Sequence, residues 1–346
     1  MLETLTAKLQ ARADLSAPEA AAAAAALASP ETPEEAKIAF LSAHHAKGET
    51  PVEIAAFAAA YRALAVNPGV EEWAPRALDV VGTGGDHAGG FNISSLVTLT
   101  LASAGVVVMK HGNRGITSQC GSADLLAALG LDLAAAPDRA RAALRELGFC
   151  FFFAPAYHPV FKNILPVRRA LAARGQRTVF NILGPLVNPG RPARTLLGAY
   201  APALVAKLAR AFDELGDEAA LVVHGVIAEG RGIDEMTTAT ENIVQGSGRL
   251  REVSGRWSAA DFGLARSPVE HLAGGDVAAN VEITQAVLAG RGPAGLEDTI
   301  VLNAATGLWL AGRLANIREG LEPARELLLG GAVARKIAAM REFYGN

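Results

Sequence analysis

Two segments of the chain hold residue types and spacings that can do chemistry. The first is Gly82-Thr83-Gly84-Gly85-Asp86, followed closely by Phe91-Asn92-Ile93-Ser94-Ser95. Glycines let backbone N–H groups come close to phosphate oxygens, and a helix opening near Ser94 and Ser95 favours an anion at its start. The segment has the outline of a phosphate cradle, without the lysine of a nucleoside-triphosphate loop and without dinucleotide-fingerprint spacing. The second segment is Asp234-Glu235, two adjacent carboxylates without a basic neighbour. Such a pair suits magnesium, a hard cation that takes oxygen ligands and retains water. The plain alternatives are a structural glycine turn and an acidic surface turn.

Two further segments add cations. Lys110-His111-Gly112-Asn113-Arg114 runs on to Thr117-Ser118 and Gly121-Ser122-Ala123-Asp124, concentrating positive charge and hydroxyls in a short stretch. Its alternative is a solvated basic turn before a helix capped by Ser122. Later, Tyr157-His158-Pro159 precedes Lys162, Arg168 and Arg169. An arginine there can pair with a substrate carboxylate through two parallel hydrogen bonds, although a charged helix face is the usual alternative.

Each segment follows a short apolar run: Leu78 to Val81, Val106 to Met109, Cys150 to Phe153, and Ala220 to His224, with a further run at Leu196 to Tyr200. Helical stretches separate several of them, so the spacing predicts a mainly parallel sheet covered by helices. Ligands of such sheets collect where strands end, which is where these polar segments lie. The first seventy residues instead carry three helix-start signatures, Ser16 to Glu19, Thr32 to Glu35 and Thr50 to Glu53, and read as a small helical unit. Ser267 to Glu270 repeats the signature, and Val301, Leu302, Ala305 and Leu308 follow at helical spacing. Gly184-Pro185 and Asn188-Pro189-Gly190 read as hinges.

Composition narrows the class. A chain of 346 residues, 51% hydrophobic and 19% charged, can bury a large core. A formal charge of -3 gives no general attraction to nucleic acid or an anionic membrane. Two cysteines, Cys120 and Cys150, form neither a disulfide framework nor a zinc knuckle, as suits a reducing cytoplasm. The alanine run Ala20 to Ala26 lacks the basic lead of a signal peptide and reads as helix. Phe91 to Met109 is uncharged but dotted with Asn, Ser, Thr and Gly, so it reads as helix and strand rather than a membrane span.

In order along the chain, the motifs GTGGD, FNIS, KHGNR, GSAD, PVRR (Pro166 to Arg169) and FNILGPLVNP (Phe180 to Pro189) resemble the anthranilate phosphoribosyltransferase family over nearly the full length. Lys47 to Thr50 and Leu302 to Ala305 fit as well. The resemblance implies a nucleoside phosphorylase/phosphoribosyltransferase-like fold. A helical domain, residues 1–70 joined by helices from about 160–190, is hinged to an α/β domain, residues 71–346. It further implies a cytoplasmic homodimer, a magnesium-dependent glycosyltransferase of tryptophan biosynthesis, with no membrane or nucleic-acid partner. By position, Gly82, Gly85, Asp86, Asn92, Ser94, Ser95, Lys110, Asn113, Ser118 and Ser122 would bind phosphoribosyl pyrophosphate. Ser94, Asp234 and Glu235 would contact Mg2+. Gly82, His111, Asn113, His158 and Arg168 would face anthranilate. The resemblance implies no covalent nucleophile, so catalysis would rest on electrostatics and positioning.

Departures from the family pattern fall at Gly90, at Gln119-Cys120, in the longer stretches Ala170 to Arg177 and Val226 to Arg231, and at His44-His45. They leave room for a paralogue with another aromatic acceptor. A pyrimidine nucleoside phosphorylase fits the GTGGD and KHGNR pair less well. A non-catalytic nucleic-acid binder would use Lys162, Arg168, Arg169, Arg174 and Arg177 as a basic patch, against the intact donor and metal motifs.

Overall fold

The computed structural model describes residues 1–115 and 118–345; Thr117, one of the hydroxyls noted above, lies outside them. The chain opens with four helices, Leu2–Gln10, Ala17–Ala28, Glu34–Lys47 and Pro51–Leu64. Ser16 and Thr50 close capping boxes with Glu19 and Glu53, as their spacing predicts. Thr32 does not: Pro33 occupies the cap of its helix and no side chain caps it. The buried Lys37 fixes that entry instead, donating to Ser29 O at 2.7 Å and Asn163 O at 3.1 Å.

Glu53 is the polar centre of this unit. It is fully buried and accepts from His44 Nε2 at 3.1 Å, from Lys47, and from the N–H groups of Thr50 and Leu15 at 2.8 Å each. His44 also stacks on Phe57, ring centroids 5.5 Å apart. This accounts for His44; nothing in the structure explains its exposed neighbour His45. Burial alone would raise the Glu53 carboxyl, but His44, Lys47 and the two backbone donors overcome it and hold the group at about 2.

The remainder builds one sheet from β1 (Ala77–Gly82), β2 (Val107–Gly112), β3 (Phe149–Phe153), β4 (Arg194–Gly198), β5 (Ala219–Ala228), β6 (Arg231–Ile233), β7 (Glu241–Gly248) and β8 (Ser254–Trp257). The order is β3-β2-β1-β4-β5-β7-β8, with β6 also paired to β5. The five predicted strands run parallel, and β6 to β8 add an antiparallel edge. The parallel strands are continuous apolar runs because both faces are covered. Successive side chains point to opposite faces, so Ala220 and Val222 enter one core while Ala219, Leu221 and Val223 enter the other.

The first of these cores also holds the N-terminal helices, residues of the 164–187 segment and helix Pro202–Leu215. The second lies under helices Ile93–Ser103, Ala294–Leu310 and Ala332–Tyr344. Val301, Leu302, Ala305 and Leu308 are buried there, as expected. Ser267 caps no helix; its hydroxyl meets Thr238 Oγ1 at 3.0 Å and only a short turn, Val269–Leu272, follows. Chain direction along the sheet reverses between β1 and β4, which are paired from Leu78↔Arg194 to Gly82↔Gly198. A crevice is expected beyond the ends of these two strands.

Candidate active site

The glycine loop leaves β1 at that strand end. Gly84 and Gly85 adopt positive φ, +68° and +78°, where a side chain would be strained. Gly82 and Gly198 are required for another reason, close approach. A Cβ on Gly82 would lie 2.3 Å from Asp234 Oδ2, and one on Gly198 would lie 1.6 Å from Asp234 O. The Asp234 segment therefore crosses directly over the ends of β1 and β4.

Asp234 is held there from both sides. Gly84 N donates to its Oδ2 at 2.6 Å, and its own N–H donates to Asp86 Oδ2 at 3.3 Å. The preceding hairpin fixes the approach. His224 Nδ1 pairs with Ala199 O at 2.7 Å, and Gly232 packs so tightly on the His224 ring that a Cβ would lie 2.1 Å from it. The lengthened stretch Val226 to Arg231 is taken up by the exposed tip of this β5–β6 hairpin.

Loss of water in the cleft raises the Asp234 carboxyl well above its ordinary range, and repulsion from Asp86 and Glu235 adds to the effect. Glu235 is raised to about 7, chiefly by the same desolvation; Lys110 and the Ser94 N–H oppose it and Asp86 reinforces it. Carboxyl groups that resist ionisation together fit a bound cation, which would relieve the repulsion. Among the described residues no group of three or more His, Cys, Asp or Glu side chains forms a cage. The donor set therefore suits magnesium held by one or two carboxylates and substrate oxygens.

Lys110, on β2, lies 1% exposed beneath the loop. Its ammonium donates to Val80 O at 2.6 Å and to Ser94 Oγ at 3.0 Å. Burial lowers its pKa, opposed by Asp79 and Glu235. Asp79 itself is fully buried in β1 and raised by burial to about 6, with Lys110 working against the rise. It accepts from Asn188 Nδ2 at 2.8 Å and His111 N at 3.3 Å. Asn188 also donates to Met109 O at 2.7 Å, so a residue read as part of a hinge ties β1 to β2.

The remaining loop residues meet around helix Ile93–Ser103. Asn92 donates to Cys120 O at 2.8 Å, and Ser118 Oγ reaches the same carbonyl at 3.2 Å. Ser95 is buried with its hydroxyl unpartnered. Asn113 Oδ1 accepts from Arg114 N at 2.8 Å. Ser122 opens helix Ser122–Ala128 but does not cap it; Gly121 is the cap and its N–H donates to Asp124 at 3.0 Å. Gly90 bridges Ala273, which ties the loop to the C-terminal region. Nothing explains Gln119.

On the other wall, His111 and His158 stand edge to face with centroids 5.1 Å apart. His111 Nδ1 pairs with Gly184 O at 3.0 Å and its Nε2 is buried without a partner. Burial pushes His111 down to about 3, His158 adding to the effect, and pushes His158 down to about 4, so both are neutral at pH 7. Arg168, on helix Leu165–Ala172, lies over the Phe180 ring with Cζ 5.6 Å from the centroid. The proposed basic patch is not one surface. Lys162, Arg169 and Arg174 face solvent, but Arg168 and Arg177 are turned inward onto Phe180 and Tyr200.

Sequence reasoning missed Asp79, Asn188, Gly198 and Arg177 as parts of this assembly. A lone carboxylate inside the apolar run Leu78 to Val81 was the available signal for Asp79.

The glycosyl transferase family, a/b domain, matches residues 74–334, and the glycosyl transferase family, helical bundle domain, matches residues 3–65. Anthranilate phosphoribosyltransferase of Deinococcus radiodurans is 44% identical over 295 residues, 85% of this chain and 84% of that protein. The enzyme of the same name from Roseiflexus sp. is 44% identical over 301 residues, 86% of this chain and 85% of its own. The crystal structure of anthranilate phosphoribosyltransferase from Thermus thermophilus superposes with a TM-score of 0.89 at 38% identity and 99% coverage of both chains. The Saccharomyces cerevisiae enzyme in complex with PRPP and Mg, at 24% identity and a TM-score of 0.85 over 99% of this chain and 98% of that one, shares the fold. No helix among the described residues is long and apolar enough to cross a membrane. With its strand-end motifs gathered beside β1 and β4 and most of its length matched in this way, the chain belongs to the anthranilate phosphoribosyltransferase family.

Proposed function

We propose that this chain transfers the phosphoribosyl group of phosphoribosyl pyrophosphate to the amine of anthranilate, releasing pyrophosphate, in tryptophan biosynthesis. One observation carries the reading: the Lys110 ammonium, the Ser94 hydroxyl and the Asp234-Glu235 carboxyls converge beside the glycine loop at the β1–β4 crevice. That is a set of opposite charges suited to a metal-bound pyrophosphate. The names of the bacterial relatives support it.

In this reading the Gly82–Asp86 loop, Asn92, Ser94, Ser95, Lys110, Asn113, Ser118 and Ser122 hold the donor. Ser94, Asp234 and Glu235 hold magnesium, which when bound offsets the charge of the pyrophosphate. Arg168 pairs with the anthranilate carboxylate, beside Gly82, Asn113 and the neutral rings of His111 and His158. The amine nitrogen attacks the anomeric carbon as its bond to the pyrophosphate oxygen breaks. The electron pair leaves with pyrophosphate, positive charge grows on the ribose, and the nitrogen loses its proton after attack. Lys110 and the loop N–H groups meet the negative charge where it develops, and one such donor is worth ~2.7–4 kcal/mol in other enzymes. No residue forms a covalent bond to the substrate.

The longer stretch Ala170 to Arg177 raised the question of a different acceptor. Its last residue bonds the donor loop and leaves Arg168 on the Phe180 ring, and the names of the 44% identical relatives favour anthranilate. We further propose a cytoplasmic homodimer, with residues 1–70 and helices from about 160–190 as a helical domain hinged to residues 71–346. The test is loss of anthranilate fluorescence with phosphoribosyl pyrophosphate, with and without magnesium. Asp234→Asn should turn over much more slowly at subsaturating magnesium. Unchanged activity there would remove Asp234 from the metal site.

A further inference from the structure

Arg177 makes contacts that no substrate role above requires. Its Nη2 donates to Gly85 O at 3.0 Å, across 92 residues of sequence. Its guanidinium lies on the Tyr200 ring, with Cζ 3.8 Å from the centroid. Tyr200 in turn donates its backbone N–H to Thr83 Oγ1 at 3.0 Å, and Thr83 N donates to Gly198 O at 2.9 Å. The glycine loop is thus gripped at Thr83 from β4 and at Gly85 by Arg177, with Tyr200 common to both grips. Among the described residues Arg177 has no carboxylate partner. A planar guanidinium stacked on a ring and donating to one chosen carbonyl is placed by geometry rather than by charge neutralisation.

The direction of that grip matters. Gly84 and Gly85 both have positive φ, so the loop peptides are free to turn in ways that residues with side chains resist. In a trans peptide the C=O and the following N–H point in opposite directions. Holding Gly85 O towards Arg177 therefore turns the Asp86 N–H away from it. On the other side, Arg177 leads directly into Thr178 and Asn181, joined at 2.8 Å, and then to Phe180, the ring on which Arg168 lies. The same short segment touches the donor loop at one end and the acceptor arginine at the other.

We infer that Arg177, braced on Tyr200, is a positioning residue that fixes the Gly85 peptide for donor binding and links the donor loop to the segment carrying Arg168. The inference rests on the donor-site reading above. The test is calorimetric titration of phosphoribosyl pyrophosphate with magnesium, without anthranilate, alongside steady-state kinetics and thermal melting. Arg177→Ala should weaken donor binding about tenfold, because a glycine loop no longer held beforehand must be ordered at the moment of binding. KM for the donor should rise more than kcat falls, with a single cooperative melt showing that the variant is folded. Arg177→Lys should recover part of the affinity, keeping charge but not the flat stack. Tyr200→Leu should weaken donor binding, whereas Tyr200→Phe retains the ring face and should bind more tightly than Tyr200→Leu.

Donor affinity unchanged in Arg177→Ala would overturn the inference, as would equal affinities of the two Tyr200 variants. A wild type that fails to bind the donor would overturn the donor-site reading and the inference together, which separates the two failures.

Discussion

Lys110→Met removes an ammonium that is 1% exposed and keeps an unbranched side chain in its place. Two losses follow, and they can be measured apart. The first is in turnover: on the proposed donor site Lys110 meets the departing pyrophosphate, a donor worth ~2.7–4 kcal/mol, so kcat should fall by about 10²–10³. The second is in stability. Lys110 also offsets the charge of the buried Asp79 without touching it, and leaving a buried charge uncompensated costs about 3–5 kcal/mol when it stays charged. Asp79 need not stay charged. Burial already raises its carboxyl to about 6 while Lys110 pulls it down, so removing Lys110 shifts it further towards the uncharged form and the penalty shrinks. Turnover should therefore drop far more than folding free energy does. The double variant Asp79→Asn/Lys110→Met removes the stranded acid altogether and should not regain turnover. The assay is anthranilate fluorescence at saturating substrates, beside urea unfolding at the same pH. Recovery of kcat in the double variant would refute the reasoning, because the single variant's defect would then come from Asp79 and not from a lost donor.

Three other perturbations probe separate parts of the structure. Gly198→Ala places a Cβ 1.6 Å from Asp234 O and should raise the magnesium concentration needed for half-maximal activity; an unchanged magnesium titration would contradict the crossing of Asp234 over β4. Arg168→Ala should raise KM for anthranilate about ten- to hundredfold, the loss of a hydrogen bond to a charged group, with donor KM little changed; the reverse pattern would move Arg168 out of the acceptor site. The Glu53 carboxyl falls from 4.5 to about 2 on folding, which corresponds to roughly 3 kcal/mol at about 1.4 kcal/mol per unit. A depressed carboxyl contributes stability that is complete above pH 4.5 and lost as pH falls through about 2. Urea unfolding between pH 3 and pH 7 should therefore show an acid-side loss that Glu53→Gln flattens, and an equal slope in both proteins would count against the buried hub.

The sequence revealed the site where its signals were local. Glycines and charges directly after apolar runs marked the ends of β1, β2 and β5, because a parallel strand buried on both faces must be apolar and its end must not be. The edge strands were missed for the converse reason. β7 carries Asn242, Gln245, Gly246 and Ser247, and β8 is short and mostly exposed, so neither has a clean apolar pattern. Local signals also misled. Thr32-Pro33 and Thr50-Pro51 look alike, yet only Thr50 caps its helix, since long-range contacts of Lys37 set the other entry. Asn188, Gly198 and Arg177 act through partners far away in sequence, and spacing carries no trace of such contacts.

The β5–β6 hairpin has a practical consequence. Its base is locked by His224 and Gly232, while Glu229 and Gly230 at its tip are exposed. Length added at the tip is absorbed beyond the lock and leaves the carboxylates below undisturbed. The tip is thus a natural splice point: a short reporter peptide grafted between Glu229 and Gly230 would ride on the hairpin that leads to Asp234 and Glu235 without disturbing its base.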